Sequence, residues 1–183
     1  MNNTFQVIGG KHRGRKFKFP DVDGLRPSPN KVRETLFNWL QFEMGGKTFL
    51  DLFAGSGALS FEALSRGAKS VTGVEKNAKA FGFLQDNQQV LKVDNLMIFN
   101  QDAFDFLREE GTPFDFILLD PPFYKNYLEK VLALIIENGF IDNGSKIYIE
   151  SEFEVTDDFL NHKFIINKQK KSGAVHYCLL ENL

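Results

Sequence analysis

Residues 48–58 read Thr-Phe-Leu-Asp-Leu-Phe-Ala-Gly-Ser-Gly-Ala. The apolar run Thr48 to Leu52 predicts a short buried strand, Gly55 and Gly57 stand at its mouth, and helical spacing of apolar residues follows from Ala58 to Arg66. Strand, glycine turn and helix in that order form the first half of a βαβ unit, where glycine lets the backbone approach a ligand closely. The alternation continues downstream. Strands are expected at Ser70 to Val74, Leu96 to Phe99, Phe114 to Leu119 and Lys146 to Ile149, with helices at Asn77 to Leu91, Ala103 to Glu109 and Leu128 to Asn138. The helix at Asn77 to Leu91 carries Phe81, Leu84, Gln88 and Leu91 along one stripe. This order predicts an α/β fold, a mostly parallel sheet with helices on both faces. Two consecutive strands at the end, Lys163 to Ile166 and Val175 to Leu180, predict an antiparallel finish.

Upstream, Thr4 to Ile8 and Lys16 to Phe19 are strand candidates separated by the Gly/Arg-rich turn Gly-Gly-Lys-His-Arg-Gly-Arg, which predicts a β-hairpin. A helix fits from about Pro29, with Ser28 as its cap, Pro29 in the first helical position and Val32, Leu36, Trp39 and Leu40 on one face. Residues 1–28 thus read as a basic extension on one catalytic core, residues 29–183.

The chain has 183 residues, 43% of them hydrophobic and 25% charged, enough for a core without staples. Its net charge of −2 argues against a polyanion ligand until the distribution is considered: residues 1–34 hold eight Lys and Arg against three acidic residues. Lys11, Arg13, Arg15, Lys16, Lys18, Arg26 and Arg33 are therefore candidates for nucleic-acid contact, with a smaller cluster at Lys168, Lys170 and Lys171. Cys178 is the only cysteine, which excludes an internal disulfide and a cysteine-based metal cluster. His12, His162 and His176 are scattered without metal-ligand spacing, so no metal is expected. No stretch resembles a signal peptide or a membrane span, and a cytoplasmic location is the default expectation.

Three further elements carry chemistry. Glu75 ends the strand Ser70 to Val74, 20 residues after Gly55, where a carboxylate can accept both ribose hydroxyl hydrogens of a nucleoside. That leaves adenosine as the part shared by two candidate ligands, NAD and S-adenosylmethionine. Asp102 could accept from an adenine amine or cap the helix that begins at Ala103. Asp120-Pro121-Pro122-Phe123 follows the apolar run that ends at Leu119. Two prolines force a rigid turn at the end of a buried strand, fixing the Asp120 carboxylate and nearby carbonyls as acceptors. Such acceptors can grip the hydrogens of a nucleobase amine, whose lone pair is otherwise delocalised into the ring, and aim it at a sulfonium methyl. Phe123 offers a face for an extruded base, worth roughly 1–3 kcal/mol.

Asp51 to Gly57, Glu75, Asp102 and Asp120 to Phe123 resemble the successive motifs of the class I S-adenosylmethionine-dependent methyltransferases. Ile8-Gly9-Gly10, Arg13-Gly14-Arg15, Pro20, Leu25-Arg26-Pro27-Ser28 and Val32 to Asn38 are similar to the N-terminal signature of the RsmD family, 16S ribosomal RNA methyltransferases that act on the N2 amine of guanine 966. The resemblance implies a Rossmann-like, seven-stranded sheet with an antiparallel last strand and an N-terminal extension that helps hold RNA. It implies S-adenosylmethionine as cofactor, contacted by Asp51, Phe53, Ala54, Gly55 and Gly57, by Glu75 and Lys76, by Asp102 and Ala103, and by Asp120. It also implies a catalytic role for Asp120, Pro121, Pro122 and Phe123. The partner would be 16S ribosomal RNA within a small-subunit assembly intermediate, met by a monomer.

Rival functions use parts of the same pattern. A DNA adenine-N6 methyltransferase shares the Asp-Pro-Pro-Phe chemistry but generally needs an added recognition domain. A protein-glutamine methyltransferase has no use for the basic extension. A noncatalytic RNA-binding or assembly protein would not need Asp120 to Phe123 intact. A nicotinamide dehydrogenase would want Gly or Ala where Ser60 stands.

Overall fold

The computed structural model describes residues 3–161 and 163–182; His162 lies outside the described residues. In chain order the strands are β1 (Asn3–Gln6), β2 (Lys16–Phe19), β3 (Thr48–Asp51), β4 (Ser70–Val74), β5 (Leu96–Phe99), β6 (Phe116–Leu119), β7 (Lys146–Ser151), β8 (Phe164–Ser172) and β9 (Val175–Asn182). The helices are α1 (Asn30–Leu40), α2 (Ala58–Ser65), α3 (Ala78–Leu91), α4 (Ala103–Leu107) and α5 (Leu128–Glu137). Seven strands form one sheet in the order β5-β4-β3-β6-β7-β9-β8, parallel from β5 to β7 and antiparallel on both sides of β9. The strand order reverses between β3 and β6, so the chain leaves those two strands in opposite directions and opens a crevice beyond their carboxyl ends.

Successive side chains on a strand point to opposite faces, and the two faces of the sheet are packed by different elements. Phe49, Val71, Leu118 and Tyr148 pack with the buried residues of α1, α2, α3 and the β1–β2 hairpin. Leu50, Ile117, Ile147 and Ile149 pack with α4 and α5. Both faces of the central strands are therefore dry, which explains their unbroken apolar runs.

The hairpin pairs Phe5 with Phe17 and turns both inward, where Phe17 stacks on Phe61 of α2 at 4.7 Å between ring centres. Its chain then docks on α2 through Glu62, which is fully buried and accepts the Ile8 and Gly9 N–H groups, each at 2.8 Å. Gly10 has a φ of +75°, and a Cβ there would sit 1.9 Å from the Ser65 carbonyl oxygen, so no other residue fits. Asn87 of α3 donates to the Lys18 carbonyl at 2.9 Å and closes the other side.

Several expectations change. Ser28 does not cap α1: Pro29 holds the cap position without a side-chain hydrogen bond, and the Ser28 hydroxyl goes elsewhere. The buried stripe of α3 is Ala80, Leu84, Asn87 and Leu91, with Phe81 and Gln88 half-buried, because Asn87 turns inward to reach β2. Strand β8 runs to Ser172, six residues beyond the expected Ile166, paired along its length with β9. Arg33 does not belong to the basic face. It is fully buried, its Nη2 donates to the Gln6 carbonyl and Asn30, its Nε donates to the Ser28 carbonyl, and Glu62 faces it.

Candidate active site

The carboxyl ends of β3, β4 and β6, the segment before α1 and the start of α4 enclose a cleft of about 800 Å3. Its first end is built by β3, β4 and the turns that follow them. The Gly55 N–H donates to Glu75 Oε2 at 2.8 Å and the Asn77 N–H to Oε1 at 2.7 Å, so the Glu75 carboxylate is held by backbone on both oxygens. Each oxygen keeps a lone pair for a further donor. Asp102 caps α4 by accepting the Phe104 N–H at 2.8 Å, lies 4.0 Å from Lys76 Nζ, and lines the cleft as well.

Asp51 sits beneath these residues at the end of β3, 1% exposed. Its Oδ2 accepts the Ser60 hydroxyl at 2.6 Å, while Oδ1 makes no hydrogen bond of normal geometry among the described residues, although the Phe53 N–H faces the carboxylate. Burial pushes its pKa up to about 7, with Asp120 and Glu75 adding like charge. A buried carboxylate oxygen without a well-formed hydrogen bond is costly alone and well matched to a cationic ligand group.

The other end of the cleft is the Asp120–Phe123 corner. Asp120 follows β6, Pro121 is buried, Pro122 is exposed and Phe123 is half-buried. Burial pushes the Asp120 carboxyl up to about 6, against the opposing effect of the Ser28 hydroxyl, which donates to Oδ2 at 3.2 Å. Beyond Phe123 the chain is strained: Tyr124 and Asn126 both adopt left-handed φ, 62° and 54°, and the Tyr124 N–H is held by Glu152 at 2.7 Å.

The cleft therefore brings together Asp51, Phe53, Ala54, Gly55, Glu75, Lys76, Asp102, Ala103 and Asp120 to Phe123. Gly57 is not in its wall. With φ +81°, its missing Cβ would stand 2.5 Å from Leu84 and 2.7 Å from Phe61, so packing alone requires glycine there. Lys11, Arg13, Arg15, Lys16 and Lys18 are exposed on the hairpin and its turn, and Arg26 is exposed at the rim of the cleft. Sequence reasoning missed Ser28 and Glu150 as lining residues. The missed signal is that β7, like β3 and β6, runs apolar and then meets a carboxylate at the same edge of the sheet.

The chain matches the family described as Conserved hypothetical protein 95 over residues 5–181. It is 40% identical over 180 residues to ribosomal RNA small subunit methyltransferase D of Escherichia coli K12, covering 98% of this chain and 91% of that one. The protein of the same name from Haemophilus influenzae is 39% identical, with 97% and 93% covered. The solved structure of yhhF from Escherichia coli superposes with a TM-score of 0.90 at 39% identity, covering 98% of each chain. The chain belongs to this family.

Proposed function

We propose that this member of the family methylates the exocyclic N2 amine of a guanine in 16S ribosomal RNA, with S-adenosylmethionine as methyl donor. The chief support is one cleft lined by Gly55, Glu75 and Asp102 at one end and by the Asp120–Phe123 corner at the other. The donor set suits S-adenosylmethionine. Glu75 would take the ribose hydroxyls, Asp102 the adenine amine, and the unpartnered Oδ1 of Asp51 the amino-acid ammonium. When bound, this group supplies a methyl on a positively charged sulfur.

The chain's own residues then do three things. Phe123 gives an extruded guanine a face to stack on. Asp120 and the rigid backbone at Pro121 and Pro122 accept the hydrogens of the amine and turn its lone pair toward the methyl. After transfer the nitrogen carries one proton too many, and Asp120, with a carboxyl pushed up to about 6, is suited to take it. The exposed basic side chains of the hairpin and Arg26 would hold the RNA backbone around the cleft. The relatives named for ribosomal RNA favour that substrate over DNA. A small-subunit assembly intermediate in the cytoplasm, met by a monomer, completes the proposal.

Radiolabelled methyl transfer to free RNA, isolated small subunits and DNA, followed by nucleoside analysis, tests it. N2-methylguanosine from RNA is the expected product. Label confined to adenine, or none, overturns the assignment.

A further inference from the structure

A third buried carboxyl borders the cleft, and the methyl transfer proposed above does not use it. Glu150 of β7 is 2% exposed and lines the cleft. It lies one residue beyond the Leu119–Ile149 rung, beside Asp120, which occupies the same place on β6. The Tyr148 hydroxyl donates to Glu150 Oε1 at 3.1 Å. The Ser28 hydroxyl, which donates to Asp120 Oδ2 at 3.2 Å, stands against Glu150 as well.

A hydroxyl has one hydrogen and otherwise only lone pairs. With its hydrogen committed to Asp120, Ser28 can meet Glu150 only as an acceptor, and Glu150 can donate only when protonated. Its surroundings favour that form. Burial is the chief cause, and Asp120 and Asp51 face it with like charge; the Tyr148 hydroxyl that donates to it works the other way, and Arg33, the cation facing it from α1, is shared with Glu62.

The geometry points to Ser28 and Glu150 as positioning residues for Asp120. A neutral Glu150 would donate to the Ser28 oxygen and so continue the hydrogen bond that Ser28 makes to Asp120 Oδ2, which leaves Asp120 Oδ1 to accept from the substrate amine. A neutral Glu150 also spares Asp120 a like charge, so Asp120 stays ionised where the reaction needs an acceptor. This inference rests on the methyl-transfer proposal for its consequence, but the protonation state of Glu150 does not.

The test compares kcat and KM for donor and RNA across about pH 5 to 8 in Ser28→Ala, Ser28→Thr, Glu150→Gln and Glu150→Ala. Ser28→Ala is expected to lower kcat roughly tenfold with both KM values within about twofold. It should also move the acid limb of the kcat profile to higher pH, because Asp120 loses a hydrogen bond to its charged form. Ser28→Thr, which keeps the hydroxyl, restores both. Glu150→Gln, a neutral donor of the same shape, should hold kcat within about threefold of wild type, against about tenfold loss for Glu150→Ala. An acid limb that stays in place in Ser28→Ala, or a Gln variant as impaired as the Ala variant, overturns the inference. Carbon-13 NMR of the carboxyl groups decides the remainder without turnover: a protonated Glu150 near pH 7 is expected, and an ionised one overturns it. A wild-type protein that methylates nothing would instead fault the functional proposal.

Discussion

Arg33 Nη1 lies 3.5 Å from Glu62 Oε2 with neither side chain exposed to solvent. The pair joins α1 to α2, and the same Glu62 carboxylate accepts the Ile8 and Gly9 N–H groups and Arg66 Nε at 2.7 Å. Removing either partner strands a charge in the core. Arg33→Met and Glu62→Gln are each expected to cost about 3–5 kcal/mol of unfolding free energy in urea titrations. A loss below about 1 kcal/mol for both would show that the pair is not the joint described.

Asp120 has its reactive role only if it acts on the amine. Asp120→Ala should keep the donor dissociation constant within about threefold while lowering single-turnover methyl transfer roughly hundredfold to thousandfold. Calorimetric binding beside rapid-quench kinetics separates the two. Equal losses in both would mean that Asp120 serves mainly as a donor-binding group.

Asp51 and Asp120 titrate near 7 and 6 in the folded chain, above the ordinary value of 3.8. Folding thus favours their protonated forms, so their contribution to stability is complete below about pH 4 and is lost as pH rises through 6 and 7. Asp51→Asn stays neutral and still accepts from Ser60. It should melt higher than wild type near pH 8, by roughly 1–3 kcal/mol of stability, and bind the donor about tenfold or more weakly. Thermal melts across the pH range, paired with donor titration, check both parts. A variant that melts lower and binds as tightly contradicts the assignment of Asp51.

The exposed basic residues of the hairpin should act through phosphate. Reversing charge at Arg13 and Arg15 is expected to weaken RNA binding and lower the slope of log affinity against log salt by about 0.7–0.9 for each phosphate left without its cation. Arg33→Met should leave that slope as it is. An unchanged slope in the first case removes the hairpin from the interface.

Most of the strand and helix order was legible because periodicity reports which faces are dry, and the cleft followed from where apolar runs met Gly55, Glu75, Asp102 and Asp120. What escaped was settled by distant partners. Ser28 has the composition of a helix cap, yet Asp120, 92 residues away, takes its hydroxyl. Arg33 adds to a basic count that cannot see burial, and Gly57 looks like a ligand glycine although Leu84 and Phe61 fill the space. Glu150 ends an apolar run much as Asp51 does, but that signal is weaker there because no glycine or proline follows it.

The outermost strand, β8, leaves one row of backbone N–H and carbonyl groups with no neighbour in the sheet among the described residues, and Lys168, Lys170 and Lys171 stand exposed along it, past a bulge after Ile166. A second molecule that tried to extend the sheet would bring its own ammonium groups against these. That repulsion works against the pairing of two β8 edges, and because it is electrostatic it fades in concentrated salt. The conditions often chosen to strip a protein from nucleic acid are therefore those in which this edge is least guarded.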